Sequence, residues 1–191
     1  MRAMKRSVKK IFFATTNQGK ISEAREILGI EIDGVGLDID EVQSLDPKEV
    51  AIKKALSYFD KLKRPILVED TSLVFEGLGN LPGPFIDYFS KELGNDGLVD
   101  LLKNNKNRKA KAIVTAVYCD KHGKVHVFQG EVKGKIASKP KGDNGFGWDP
   151  IFIPNGSAKT FGEMDLSEKN NYSMRQIAFK KCKIWLEKGL A

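Results

Sequence analysis

The chain has 191 residues, of which 41% are hydrophobic and 30% are charged, and its net charge at pH 7 is +7. This size and composition predict one globular domain spanning 1–191 and exclude a disordered chain, and no apolar run reaches the length that a membrane-spanning helix needs. The excess of basic residues favours anionic partners, namely nucleotides, nucleic acid or a membrane surface.

The N-terminal segment 1–9 is rich in lysine and arginine, and we expect it to be a basic extension. It lacks the apolar stretch of a signal peptide, which predicts a cytoplasmic protein. The two cysteines, Cys119 and Cys182, lack the spacing of metal ligands and are expected to be buried free thiols. His122 and His126 have no other ligand-type residue near them in the sequence, so both are expected to be structural or exposed.

The first predicted elements are a buried strand, 11–15, and a helix whose apolar residues recur at helical spacing, namely Ile21, Ala24, Ile27 and Leu28. Between them lies ATTNQGK, which resembles the phosphate-binding P-loop G-x-x-x-x-G-K-[ST] in part. Gly19 and Lys20 fit that pattern, whereas Ala14 replaces its first glycine and Ile21 replaces its metal-binding hydroxyl. A loop between a strand and a helix is still suited to an anion, because backbone N–H groups at a helix N-terminus point toward it.

Residues 30–39 are predicted to be extended. A helix is predicted to begin at Asp46, which acts as N-cap, with Pro47 at the first helical position and Glu49 two residues later. Its buried stripe is predicted from the apolar residues at helical spacing, which are Ile52, Ala55, Leu56, Phe59 and Leu62. A second buried strand, 65–70, is predicted to end at two carboxylates.

The remaining elements complete an α/β fold. Segment 77–84 is predicted to be a turn-rich loop, and 85–104 two short helices broken at Gly94. Residues 110–138 predict a long β-hairpin with the turn sequence DKHG, followed by a Gly- and Pro-rich loop at 139–150. The C-terminal segment, about 172–188, is predicted to be a helix whose inward residues are Ile177, Ala178, Cys182 and Trp185.

Several side chains are candidates for chemistry. Glu69 and Asp70 are predicted to stand where α/β sheets bind ligands, although two solvated acids that end a strand would look the same. One acid of the stretch 38–41 could hold Mg²⁺ together with Asp70, because carboxylates suit that ion, although without other evidence a solvated acidic loop is the preferred interpretation.

The loop GFGWDP contains aromatic residues that suit a nucleobase. Phe146 and Trp148 could stack on a base, and Asp149 could accept hydrogen bonds from its edge, although the aromatics could instead fill the core. Lys169 and Arg175 could pair with a phosphate or a base carbonyl, or belong to a solvated helix start.

Five motifs in this order, ATTNQGK, VEDTSLVFEGLGNLPGPF, GFGWDPIF, KTFGEM and EKNNYSMR, resemble the inosine triphosphate pyrophosphatase family, and its eukaryote-like branch more than its bacterial one. The resemblance covers nearly the whole chain. It implies an elongated α/β fold with a long, twisted mixed sheet flanked by helices and two lobes around a central cleft. It also implies a homodimer that hydrolyses ITP, dITP and XTP to the monophosphate and pyrophosphate with Mg²⁺, or with Mn²⁺ as a substitute.

The resemblance also implies roles for individual residues. Glu41 and Asp70 match metal ligands, and Asp70, with Glu69 and Lys20, is expected to be catalytic. The substrate-binding positions implied by the family are Thr15, Thr16, Asn17, Gln18, Gly19, Lys20, Lys54, Thr71, Phe146, Gly147, Trp148, Asp149, Lys169, Met174 and Arg175. Lys54 conflicts with the predicted helix pattern, because it lies opposite the predicted apolar stripe.

Two positions depart from the family. Met174 stands where the family usually has histidine, and methionine cannot donate a hydrogen bond to a base. Asp87 stands where the eukaryote-like branch has lysine, and an acid there would repel a triphosphate, so no phosphate contact is expected from it.

Three alternatives remain from the sequence. A domain that binds single-stranded nucleic acid would suit the net charge and the aromatic loop, although the dispersed basic residues argue against nucleic acid as a partner. A protein that binds nucleotides but no longer hydrolyses them would retain the phosphate-binding loop. A Maf-like pyrophosphatase of modified nucleotides would share the fold, although GFGWDP and EKN fit it less well.

Overall fold

A seven-stranded mixed sheet forms the centre of the protein in the computed structural model, which describes residues 10–189. Its strands are β1 Lys10–Phe13, β2 Glu31–Gly34, β3 Ile66–Phe75, β4 Pro82–Gly83, β5 Lys109–Cys119, β6 Val125–Ile136 and β7 Phe152–Pro154. The strand order is β2-β1-β3-β5-β6-β7, with β4 paired to β3. The strand β1 runs parallel to β2 and β3, and the other pairings are antiparallel. The predicted α/β fold with a mixed sheet is confirmed, while the predicted basic extension, 1–9, lies outside the described residues.

The described helices are α1 Gln18–Leu28, α2 Pro47–Leu62, α3 Ile86–Asp100, α4 Leu166–Asn170 and α5 Met174–Gly189. Short 3₁₀ helices occupy Glu76–Leu78, Asp149–Ile151 and Phe161–Glu163. None of the helices within residues 10–189 is both long and apolar enough to cross a membrane.

The sheet has a different hydrophobic cluster on each face. On one face, Ala51, Ala55 and Tyr58 of α2 pack with Ile66 and Val68 of β3. On the other face, a larger cluster joins β1, β3 and β5 to α1 and α5, and its members include Phe13, Leu67, Leu73, Phe75, Ala24, Ile27, Phe179 and Cys182. Because side chains alternate along a strand, odd-numbered residues of β3 face α1 and α5, and even-numbered residues face α2.

The buried stripe of α2 differs from the prediction. Leu56 is exposed, and Ile52, Phe59 and Leu62 are only partly buried. Ala55 is buried as predicted, but the other buried residues are Val50, Ala51 and Tyr58. The small alanines allow the helix to lie close to the sheet. The inner face of α2 is therefore rotated relative to the predicted one. It includes Lys54, which lies one turn from both Val50 and Tyr58.

The strand β3 is longer than predicted. It continues five residues beyond Asp70 to Phe75 and pairs with β5 along its whole length. The polar residues Thr71 and Ser72 suggest an end to the strand, but Leu73 and Phe75 continue the buried alternation. Glu69 and Asp70 therefore lie within a central strand, not at its end, and point to opposite faces of the sheet.

Most of the other predicted elements are present. The helix α3 is kinked at Gly94, where φ is 62°, and the hairpin β5–β6 turns at 120–124. Only Glu31–Gly34 of the extended segment 30–39 forms a strand. Asp46 caps α2 by accepting a hydrogen bond from Lys48 N. Ile177 of α5 is exposed, contrary to prediction, while Ala178 and Cys182 are buried and Trp185 is partly buried.

The cysteines and histidines have the structural surroundings that the sequence predicts. Both cysteines are buried and free, and burial raises the pKa of the Cys182 thiol to about 12. His126 pairs with Asp120 at 3.0 Å and stacks on Trp185 with 4.0 Å between ring centroids. His122 lies exposed in the hairpin turn.

Candidate active site

A cleft of about 550 Å³ opens between the β1–α1 loop, β3, α3, the 146–149 loop and the start of α5. It contains fifteen of the side chains or backbone positions singled out by the sequence, which are Thr15, Thr16, Asn17, Lys20, Glu41, Lys54, Glu69, Asp70, Thr71, Phe146, Gly147, Trp148, Asp149, Met174 and Arg175. Three predicted residues do not line it. Gln18 faces a neighbouring groove, Gly19 packs against Phe146, and Lys169 is buried beneath Asp149.

The β1–α1 loop forms a capped helix start at the wall of this cleft. Asn17 is the N-cap of α1, and its side chain accepts a hydrogen bond from Lys20 N at 3.1 Å. Thr15 Oγ1 accepts another from Asn17 N at 3.1 Å. The remaining N–H groups of the first turn, those of Gln18 and Gly19, have no acceptor within the helix, and such groups favour an anion near a helix N-terminus.

Glu69 is held on the α1 and α5 face of β3 by two cations. Its carboxylate accepts two hydrogen bonds from Arg175, Nε at 2.6 Å and Nη2 at 2.8 Å, and pairs with Lys20 Nζ at 3.3 Å. Thr71 Oγ1 donates a third hydrogen bond at 3.1 Å. Burial alone would raise the pKa of this carboxyl, but Arg175 and Lys20 outweigh burial and lower it well below its usual range. Glu69 is therefore a permanent anion that orients Arg175 and Lys20.

Asp70 has the opposite environment on the other face of the strand. Burial raises the pKa of its carboxyl to about 7, against the attraction of Lys54 and Lys20, and Glu41 and Glu69 raise it further. Its Oδ2 atom is buried without a hydrogen-bond partner among residues 10–189. Such an orphaned acceptor in a cleft is available to a water, a proton or a cation.

Glu41 and Lys54 form an ion pair beside Asp70. Lys54 Nζ lies 2.5 Å from Glu41 Oε1, and the Lys54 side chain is only 18% exposed. Burial lowers the pKa of Lys54, but the hydrogen bond and charge of Glu41 outweigh burial and leave it raised. The conflict between the predicted helix pattern and the family role of Lys54 is thus resolved, because the true inner face of α2 directs this lysine into the cleft.

The carboxylates of Glu41 and Asp70 are chemically suited to a hard divalent cation. The described residues contain no group of three or more His, Cys, Asp or Glu side chains arranged around one metal position. Mg²⁺ does not need such a group, because it is usually held by one or two carboxylates together with waters and substrate phosphates. The unpartnered Asp70 Oδ2 and the exposed Glu41 fit that pattern.

Glu23 is a buried residue of the site that the sequence prediction missed. Its carboxylate accepts a hydrogen bond from Lys169 at 2.9 Å and another from Arg175. Burial opposes its ionisation, but these two cations lower the pKa of Glu23. A signal was present in the sequence, because Glu23 lies three residues after Lys20 on the same face of α1.

The 146–149 loop forms the aromatic part of the cleft. Trp148 is 8% exposed and packs edge-on against Phe152, so it serves the core as well as the cleft. Phe146 lies 4.9 Å from Lys169 Nζ and 5.3 Å from the Arg175 guanidinium, measured from its ring centroid. Asp149 Oδ2 accepts hydrogen bonds from Phe146 N and Lys169 Nζ, both at 2.8 Å. Burial raises the pKa of Asp149, although Lys169 opposes the rise.

Met174 and Asp87, the two positions that depart from the family pattern, also line the cleft. Met174 is 2% exposed at the start of α5, where its thioether presents no hydrogen-bond donor. Asp87 lies in the first turn of α3 and pairs with Lys91 at 2.6 Å. Other lining residues that the sequence prediction missed also belong to the approach to α3 and its first turns, namely Pro84, Ile86, Tyr88, Ser90 and Lys91.

These features define a class of α/β protein in which a capped helix start, several lysines and a carboxylate pair surround one cleft of nucleotide size. A model of the Ham1 family matches residues 11–185, and the chain therefore belongs to the Ham1 family. The resemblance inferred from the five motifs is confirmed.

Relatives and solved structures agree with this membership. The dITP/XTP pyrophosphatase of Methanopyrus kandleri is 41% identical over 185 residues, which are 95% of this chain and 98% of that protein. The inosine triphosphate pyrophosphatase of Aspergillus fumigatus is 41% identical over 183 residues, 94% of this chain and 96% of that protein. The Ham1 protein of Staphylococcus aureus has a similar structure, with a TM-score of 0.81 and 28% identity, covering 95% of this chain and all of that one.

Proposed function

We propose that this protein hydrolyses non-standard purine nucleoside triphosphates, such as ITP, dITP and XTP, to the nucleoside monophosphate and pyrophosphate. The names of the relatives support this substrate class. The observation that carries the proposal is the pairing of Asp70, with its raised pKa, and the cationic phosphate loop in one cleft. Removing deaminated purines from the nucleotide pool is the corresponding cellular role.

The triphosphate would lie between the β1–α1 loop and Lys54. The helix N–H groups of α1 and the ammonium groups of Lys20 and Lys54 supply positive charge there. Both lysines are paired with carboxylates in the free protein, Lys20 with Glu69 and Lys54 with Glu41. Phosphoryl transfer depends mainly on positioning and electrostatic stabilisation, which such pre-oriented cations provide.

Asp70 is the proposed general base. It would accept a proton from a water molecule whose oxygen attacks the α-phosphorus, and the bond from that phosphorus to the α–β bridging oxygen would break. The bridging oxygen would leave with pyrophosphate, whose charge Lys20 and Lys54 would neutralise. Its Oδ2 atom, buried without a hydrogen-bond partner among residues 10–189, is available to accept that proton.

Glu41 and Asp70 are the residues that would hold Mg²⁺, or Mn²⁺ in its place. When bound, the metal would supply charge neutralisation on the phosphates. The homodimer and the cytoplasmic location implied by the sequence stay predictions.

Base selection would depend on the buried ionic network beneath Phe146. A 6-oxo purine presents a carbonyl acceptor and an N1–H donor, whereas adenine presents the reverse. Arg175 offers a donor at the cleft wall and Asp149 an acceptor, while Lys169 supports Asp149 from behind. Adenine would set a donor against Arg175 and an acceptor against Asp149, and such mismatches give discrimination of up to about 10⁴–10⁵.

A nucleotide panel tests the proposal. Purified protein with Mg²⁺ is incubated with ITP, XTP, dITP, GTP, ATP and pyrimidine triphosphates, and phosphate is measured with and without added inorganic pyrophosphatase. We expect phosphate only when pyrophosphatase is present, and most from ITP, dITP and XTP. Phosphate without pyrophosphatase, or equal release from ATP and ITP, would contradict the proposal.

A further inference from the structure

The helix α3 is broken at Gly94, and the part that follows the break contacts the aromatic loop 146–149. Gly94 has φ 62° and ψ −176°, a conformation that the other residues of the helix do not adopt and that glycine adopts readily. Before the break, residues from Ile86 to Lys91 line the cleft. Immediately after the break, the side chain of Asn95 turns to the loop.

One hydrogen bond joins α3 to the aromatic loop. Asn95 Nδ2 donates to Gly147 O at 3.0 Å, across 52 positions of the sequence. Among residues 10–189, no other hydrogen bond links α3 to the 146–149 loop. Gly147 lines the cleft, whereas Asn95 is not one of the described lining residues. Any effect of Asn95 on a bound nucleotide therefore passes through the loop.

The loop fixes its own inner side but not the carbonyl of Gly147. On the inner side, the Asp149 carboxylate accepts hydrogen bonds from Phe146 N and from Lys169 Nζ. At Gly147, φ is 61° and a Cβ atom would meet nothing within 4 Å. A glycine in open space can rotate its peptide groups with little steric hindrance. The hydrogen bond from Asn95, not local packing, therefore sets the direction of the Gly147 carbonyl.

Gly147 lies between the two aromatic residues that are proposed to hold the base, and these two are held unequally. Trp148 is 8% exposed and packs edge-on against Phe152. Phe146 is only partly buried, and its ring lies beside the Arg175 guanidinium on the cleft wall. Because Trp148 is anchored in the core, a rotation of the Gly147 peptide groups would mainly displace Phe146.

We propose that Asn95 is a positioning residue for base recognition. Its side-chain amide holds the Gly147 carbonyl, and this contact keeps the Phe146 ring in place to stack on the base of the substrate. This inference rests on the proposed function. It gives the second part of α3 a role at the base end of the cleft, although Asn95 itself does not contact the nucleotide.

The test measures binding of inosine monophosphate and of magnesium pyrophosphate by calorimetry, and neither measurement needs turnover. Asn95→Asp keeps the shape of the side chain but replaces the donor by a second acceptor facing Gly147 O. We expect Kd for inosine monophosphate to rise about three- to tenfold, and Kd for pyrophosphate to stay unchanged because pyrophosphate has no base. Asn95→Ala, which adds no charge, should show a smaller rise of the same kind. Asn104→Asp, the same substitution at an exposed residue outside the cleft, is the control.

Hydrolysis of ITP separates this inference from the proposed function. In Asn95→Asp, KM for ITP should rise by the same factor with little change in kcat, because Asp70 and its surroundings are untouched. Equal affinity for inosine monophosphate in wild type and Asn95→Asp, or an equal loss of monophosphate and pyrophosphate binding, would overturn the role of Asn95 even if ITP is hydrolysed. A wild-type protein that binds inosine monophosphate more tightly than Asn95→Asp but hydrolyses no ITP would support that role and overturn the proposed function.

Discussion

Glu69 and Asp70 are neighbours in β3, yet their carboxyl groups have pKa values shifted in opposite directions. Glu69 receives two hydrogen bonds from Arg175, which keep its pKa low, while Asp70 is buried beside other carboxylates and has a pKa of about 7. The alternation of the strand separates them, since Glu69 faces α1 and α5 and Asp70 faces α2. One strand thus supplies a fixed anion for structure and a titratable carboxyl for chemistry.

Removing the charge of Glu69 should destabilise the protein. In Glu69→Gln the buried Arg175 keeps only Glu23 as an anionic partner. We expect the free energy of unfolding to fall by about 3 kcal/mol, as is typical when one member of a buried ion pair is removed. Urea denaturation measures this, with Glu31→Gln on the exposed edge strand as control. A loss no greater than that of the control would show that Glu69 does not organise the network.

Asp70→Asn should stabilise the metal-free protein at alkaline pH. The pKa of Asp70 is higher in the folded state, about 7, than in an unfolded chain, about 3.9. Ionisation therefore favours unfolding, and the wild-type free energy of unfolding should fall as pH rises from about 4 to 7. At pH 8 we expect the variant to be more stable by about 2–4 kcal/mol.

Denaturation of both proteins in chelator at pH 5 and pH 8 measures this difference. The difference should be about one third as large at pH 5 as at pH 8, because pH 5 lies only about one unit above the unfolded-state pKa, while the variant loses hydrolysis at both pH values. Mg²⁺ should reduce the difference at pH 8, because the cation compensates the wild-type carboxylate. A variant less stable than wild type at pH 8 would contradict the assigned environment of Asp70.

Met174→His should sharpen the choice of base. Met174 is buried in the cleft wall and has no donor, whereas a histidine ring can donate to a purine carbonyl. One additional hydrogen bond of about 1–1.5 kcal/mol would raise the ratio of kcat/KM for ITP to that for ATP by roughly 5- to 10-fold. Met174→Leu is the control and should keep the wild-type ratio. An unchanged ratio in a folded Met174→His protein would place the base away from this residue.

Gly19→Ala should weaken nucleotide binding through the aromatic loop. A Cβ atom at residue 19 would lie 2.6 Å from Cδ1 of Phe146, so the ring would have to move. Since base stacking contributes about 1–3 kcal/mol, we expect KM for ITP to rise about fivefold or more. Ser22→Ala, at an exposed position of the same helix, is the control. If Gly19→Ala binds ITP as wild type does, Phe146 is not part of the base site.

The sequence predicts the fold and the content of the cleft better than it predicts the faces of the helices. Strands and turns are signalled by local patterns, and the GLGNLPGP and GFGWDP loops are recognisable from composition alone. The buried stripe of α2 is not recognisable in this way, because Ala51 is weakly hydrophobic yet fully buried, and Leu56 is strongly hydrophobic yet exposed. That inversion depends on how closely the helix approaches the sheet.

The candidate site shows the same limit. Asp70 and Arg175 are recognisable from motifs, but the contrast between Glu69 and Asp70 depends on burial and on partners more than 100 residues away. Ser90 and Lys91 have no motif, and only the folded arrangement brings them to the cleft, while Glu23 pairs with Lys169 behind it. Long-range pairing of charges is therefore the part of the site that local sequence patterns do not contain.

The most direct test of the central claim is hydrolysis of ITP in ¹⁸O-labelled water, followed by mass spectrometry of the products. Attack of water on the α-phosphorus predicts inosine monophosphate carrying one ¹⁸O atom, unlabelled pyrophosphate, and no product from Asp70→Asn. Label in pyrophosphate, release of inosine diphosphate and phosphate, or wild-type turnover by Asp70→Asn would contradict the account.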